Sequence, residues 1–152
     1  MEFRSRAVRS LVELHEIELR AFLATWRRFK ASGKAMPEAH GDADYESAER
    51  LVAHAQGAAR SYLIWIRNVL EQPITDLELT RDPDLIVPRV DAFMEETLEA
   101  WGRHLAPLTD EQLAPAQYKT RWGDLCTVDQ MLEHAVVHPM RHRIQLERLL
   151  KS

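Results

Sequence analysis

The first 32 residues, Met1 to Ser32, contain neither proline nor glycine, the two residues that most readily interrupt a helix. Within that stretch Val8, Leu11, Leu14, Phe22, Trp26 and Phe29 recur at helical spacings with charged residues between them. That period marks one apolar face of an amphipathic α-helix. The whole chain has only five glycines, and no segment alternates apolar and polar residues over a strand's length. The constraint is therefore strong: the chain reads as all-α.

The breaks divide it into four helices. The first break runs from Ser32-Gly33-Lys34-Ala35-Met36-Pro37 to Gly41-Asp42-Ala43-Asp44. Asp42 or Asp44 is the expected N-cap of a second helix over about Tyr45 to Leu70. Its stripe is Leu51, Ala55, Ala58, Tyr62, Trp65 and Val69, and Pro73 lies beyond its end. Gly57 inside it costs up to about 1 kcal/mol against alanine, which points to a close helix–helix approach. A short turn at Asp82-Pro83-Asp84 leads to a third helix from Pro88, with Val90, Phe93, Met94, Leu98, Trp101 and Leu105 as its stripe. Thr109 and Gln112 have capping-box spacing for one short turn, and residues 113–126 read as a long loop. Thr127 to Gln130 is a second capping box and opens the fourth helix, which is expected to run to about Leu150. With no repeat and no linker, residues 1–152 read as a single domain, a four-helix bundle with long loops.

Composition removes several functional classes. Formal net charge is −4, which does not suit a nucleic-acid binder. The longest apolar run is five residues, Tyr62 to Ile66, far short of a membrane span. Residues Met1 to Arg6 have no apolar signal-peptide region, so the expected location is the cytoplasm. The one cysteine, Cys126, excludes an internal disulfide and a multi-cysteine metal site. Cys126 precedes a helix N-terminus, which can lower a thiol pKa; the preferred reading is a buried, inert thiol. No GxGxxG, Walker loop, GxSxG or HExxH occurs.

The chemistry lies in the histidines, of which there are seven. His134, His138 and His142 sit four residues apart in the last helix. Each is turned about 40° from the one before and lies about 6 Å further along the axis. Neighbours at that spacing can converge on one metal ion, but all three cannot easily share a tetrahedral one. The metal pair is thus His134 with His138 or His138 with His142. Gln145 falls on the same face. A further ligand must come from another helix, and His54, on or beside the stripe of the second helix, is the best candidate. Three imidazoles and an open position describe a catalytic rather than a closed structural zinc site. Pro139 is expected to kink or break the helix between His138 and His142.

His15 and Glu18, one turn apart on the first helix, are candidate pocket residues as an acid–base pair or extra ligand. Trp65, Tyr62 and Trp122 are candidate pocket walls, with plain core as the blander reading. His40 and His104 receive no role.

An interior histidine on helix two, together with His134-x3-His138-x3-His142-x2-Gln145 on the last helix, resembles the DinB/YfiT-like superfamily of bacterial proteins. The likeness extends over nearly the whole chain and is most specific from Leu132 to Gln145. That family's last-helix motif commonly reads His-Glu-x-x-His-Arg-Gly-Gln. Here Pro139 stands in the Glu place and Ile144 in the Gly place, so any role of that Glu is lost. The resemblance implies an up-down-down-up bundle, often a homodimer. It implies a divalent metal, zinc or nickel, on His54, His138 and His142, and makes His134 a pocket residue. It also implies an enzyme working on a small molecule, a transferase or hydrolase that can depend on a low-molecular-weight thiol. The alternatives are a bundle that binds a metal or small ligand without catalysis, and a structural bundle with a hydrogen-bonded polar core.

Overall fold

A computed structural model describes residues 2–38 and 40–152. Met1, where the first proline- and glycine-free stretch begins, and Ala39, in the first long loop, lie outside the described residues. The chain is mostly helical. Its long helices are α1 (Arg6–Ala31), α2 (Ala48–Val69), α4 (Val90–Leu105) and α6 (Val128–Lys151). Two single turns, α3 (Pro83–Ile86) and α5 (Asp110–Leu113), and two 3₁₀ turns, Ala43–Tyr45 and Val87–Arg89, punctuate the loops. No helix of the described residues is long and apolar enough to cross a membrane.

The caps explain where the helices start. The Ser5 hydroxyl accepts the Val8 N–H at 3.2 Å and opens α1. Ser47 does the same for the Arg50 N–H at 3.1 Å and opens α2. The expected caps Asp42 and Asp44 do not serve α2; Asp42 caps the 3₁₀ turn before it, accepting from the Asp44 N–H at 3.1 Å. Thr109 and Thr127 form the two expected capping boxes. α6 runs unbroken through Pro139, so the expected break is absent. The loop 113–126 holds an unforeseen antiparallel hairpin, β1 (Tyr118–Lys119) with β2 (Leu125–Cys126).

The core lies in two clusters. One gathers Leu19, Phe22, Phe29, Leu51, Ile86, Phe93 and Leu146. The other gathers Val8, Leu63, Trp101, Leu105, Val128 and Leu132. Each fully buried side chain of this kind contributes about 1.5–3 kcal/mol of transfer free energy. Indole N–H groups tie the helices: Trp26 donates to Ala48 O at 2.7 Å and Trp101 to Ala59 O at 3.0 Å. Leu14, counted in the α1 stripe, is 46% exposed; Val12, His15 and Leu19 form the buried face instead.

Between the clusters runs a polar layer. His15 on α1, Gln56 on α2, Thr97 on α4, and His138 and His142 on α6 are all buried. On α1, α4 and α6 these residues fall between the sequence positions that supply the two clusters. Burying polar groups costs free energy unless they find partners, so this layer is where a site is expected.

Candidate metal centre

His54 projects from α2 and His138 and His142 from α6. Ring nitrogens of the three lie within 4.8 Å of one another. His54 Nε2 stands 3.0 Å from His138 Nε2, and His142 Nε2 stands 3.3 Å from the same atom. Nitrogens bound tetrahedrally at about 2.0–2.1 Å from one zinc ion stand about 3.3–3.4 Å apart. The two separations, 3.0 and 3.3 Å, are close to that. Of the two histidine pairs open at the sequence level, the close one is His138 with His142.

The outer nitrogens fix how these rings present themselves. Asp44 Oδ2 lies 2.8 Å from His54 Nδ1, an ion-pair distance short of hydrogen-bond alignment. Gln145 Oε1 lies 3.3 Å from His142 Nδ1. Protons on those two Nδ1 atoms leave both Nε2 atoms as lone pairs aimed at His138. His138 is neutral and can direct one proton at only one neighbour. One Nε2 lone pair is then left without a donor, and His138 Nδ1 is buried without a partner. One cation satisfies all three Nε2 lone pairs at once, so this donor set could hold a metal ion.

The rings are held neutral. Burial, then the neighbouring His142 and His54 charges and Arg141, push His138 down to about 2. Burial lowers His142 to about 4 against the opposing Gln145 hydrogen bond. His54 is also lowered, by burial first and Arg81 next, with Asp44 opposing. Neutral imidazole is the ligating form, and no proton competes for these nitrogens near neutral pH.

The site opens into a pocket of about 400 Å³. His54 and His138 line it. Tyr45, Tyr62, Trp122 and His134 wall it, and Arg81, Arg121 and Arg141 stand around it with Asp42 and Asp44. His134 is exposed; its ring centroid lies 5.2 Å from that of Tyr62 and 5.3 Å from that of Trp122. Burial, then Arg141, lowers its pKa. Burial raises the Tyr62 hydroxyl to about 12 against the three arginines, so it stays protonated. A larger apolar groove of about 690 Å³ lies beside the pocket and shares Tyr45 and Arg141 with it, but none of the three histidines lines that groove.

Other candidate residues lie elsewhere. His15 and Glu18 do not pair. His15 is fully buried, stacks on Trp101 at 3.8 Å between ring centroids, and has no partner for either nitrogen. Glu18 accepts from Arg143 Nε at 3.1 Å. Their one-turn spacing suggested a pair, but His15 points into the core. Trp65 is half-buried and donates to Lys119 O at 3.2 Å, bracing the hairpin rather than walling the pocket. His104 meets Asp76 Oδ1 at 3.0 Å. Burial, then Asp124 and Asp129, raises the Cys126 thiol pKa, so the helix N-terminus does not activate it. Asp44 and the three arginines had no sequence signal, because they converge from separate segments. Comparison of the chain with protein-family models, with curated proteins and with solved structures gives no match.

Proposed function

We propose that this chain is a divalent-metal-dependent enzyme acting on a small molecule, built as an up-down-down-up four-helix bundle of the DinB/YfiT-like kind. The observation that carries the proposal is the convergence of the His54, His138 and His142 Nε2 atoms in the buried polar layer. The placement of one ligand on the second long helix and a His-x3-His pair on the last supports the bundle type. A zinc or nickel ion held by these residues supplies a Lewis acid for a substrate oxygen or a low-molecular-weight thiol.

The chain's own residues supply orientation and proton handling. Asp44 and Gln145 hold His54 and His142 with their Nε2 atoms inward. Tyr62, protonated at neutral pH, offers a hydrogen-bond donor to a molecule in the pocket. His134 is the imidazole at the pocket wall outside the ligand set and the group best placed to take or give a proton. Pro139 brings no carboxylate to α6 at the position after His138, which favours a second reading: a non-catalytic metal or small-ligand binder. Exposed Ile17 on α1 and Val137 on α6 support the homodimer.

The test is turnover. The zinc- or nickel-loaded protein is screened with small thiols plus electrophiles, and with hydrolase substrates. The enzyme reading expects turnover that His138→Ala lowers at least 100-fold with helix content retained. Metal uptake without turnover on any of them would favour the binding protein.

A further inference from the structure

Two pockets of this molecule are ringed by arginines, and they differ in one respect. In the pocket lined by Arg60, Arg89 and Arg103, every arginine is paired: Arg60 and Arg89 with Glu96, and Arg103 with Asp76 and Glu99. Around the histidine pocket stand Arg81, Arg121 and Arg141. Among the described residues, none of these three has an ion pair or side-chain hydrogen bond. The two carboxylates there are already engaged, Asp42 with the Asp44 N–H and Asp44 against His54 Nδ1. The pocket lining thus sets three guanidinium groups, none of them paired with a carboxylate, against two carboxylates held by other contacts, an excess of one positive charge.

The positions of two of these arginines are built by the fold. Arg81 ends the segment that follows α2, and that segment lies directly on Gly57. A Cβ at Gly57 would stand 2.5 Å from Thr80 O and 2.6 Å from Arg81 Cγ. Arg60 anchors the same segment by donating to Glu78 O at 2.9 Å. Arg121 sits on the tight turn of the β1–β2 hairpin. There the Thr120 N–H donates to Asp124 O at 2.8 Å, and Gly123 takes a φ of 100° that disfavours other residues. Arg141 comes from α6, next to His142. Three separate segments thus deliver a planar, permanently charged donor to one opening.

The geometry points to an anionic substrate: a small molecule carrying a carboxylate or phosphate group that Arg81, Arg121 and Arg141 bind while its reacting end faces His54 and His138. This rests on the metal-dependent reading for the reacting end. Guanidinium groups suit both oxyanions, because each offers paired N–H donors to two oxygens. Tyr45, Tyr62 and Trp122 supply flat apolar walls for the body of the molecule.

The test is calorimetric titration of zinc-loaded and of metal-free protein with inorganic phosphate and with succinate at low salt. Arg81→Gln and Arg121→Gln are titrated beside the wild type, with zinc content measured on every sample. Saturable binding of either anion is expected, weakened about tenfold by each substitution at unchanged zinc content. The tighter of the two anions names the class. No saturable heat from either, or equal affinities in wild type and variants, overturns the inference and leaves zinc binding standing. Failure of wild type to take up zinc counts against the metal reading alone. The anion site is then decided by the same comparison in metal-free protein.

Discussion

His54 Nε2 and His138 Nε2 face each other at 3.0 Å, joining α2 to α6 across the polar layer that divides the core. Each atom belongs to a ring held neutral by burial. Without a cation, at least one Nε2 lone pair among the three rings is left without a donor, which weakens the metal-free protein. Incubation with zinc is expected to raise Tm through preferential binding to the folded state.

Gln145 sets the ring of His142 by accepting at Nδ1. Residues that support a metal ligand in this way typically govern affinity by about 10–100-fold. Gln145→Leu is expected to weaken zinc binding by that factor in competition with a chelating dye, with Gln145→Glu retaining it. Equal affinity in Gln145→Leu would show that the contact does not orient the ligand.

Gly57 is open to substitution as a helix position and closed to it as a packing position. Alanine would gain about 1 kcal/mol of helix propensity, but its Cβ would meet the backbone oxygen of Thr80 at 2.5 Å. Overpacking of this kind costs about 1–3 kcal/mol. Gly57→Ala is expected to lower stability in urea and to loosen the Thr80–Arg81 segment in hydrogen exchange. A more stable variant would mean that this segment moves aside freely.

His15 predicts an acid-sensitive fold. Burial lowers its pKa from 6.5 to about 3, so the unfolded chain binds more protons than the folded one between those values. Stability therefore falls as pH drops below 6.5, by up to about 1.4 kcal/mol per unit from this residue. His15→Leu removes that contribution. Urea midpoints of metal-free protein at pH 7 and pH 4.5 are expected to differ less in the variant than in the wild type. Equal differences would show that His15 does not titrate with unfolding.

Arg60 is buried, yet each of its three guanidinium nitrogens donates a hydrogen bond. It donates to Thr97 Oγ1, Glu78 O, Phe93 O and Glu96 and lies 3.4 Å over the Phe93 ring. Removing it strands these acceptors and the packing against Phe93. Arg60→Met is expected to cost about 2–4 kcal/mol by chemical denaturation. A loss below about 0.5 kcal/mol would show that water replaces the guanidinium.

The all-α class and most helix ends were legible in the sequence, because caps and apolar period are local signals. Thr127 with Gln130 was read correctly for that reason. The start of α2 was misplaced because Asp42 and Ser47 are equally good caps, and Asp42 serves a 3₁₀ turn that periodicity does not reveal. The hairpin was missed because each of its strands is two residues long. Gly57 did mark a close approach, but of the loop rather than of a helix. At the site, His138 and His142 were visible by spacing and His54 by its place on the α2 stripe. Arg81 and Arg121 were not, since loop tips carry no period. His15 looked like a partner of Glu18 at one-turn spacing, yet the two separate because one faces the core and the other Arg143.

The most direct measurement is elemental analysis of tag-free protein beside His54→Ala and His138→Ala, after incubation with zinc and with nickel. Affinity tags bind these metals and must be absent. About one equivalent in the wild type, lost from both variants with helix content unchanged, is the expected result. No metal in the wild type, or an equivalent retained in either variant, would contradict a metal site at His54, His138 and His142.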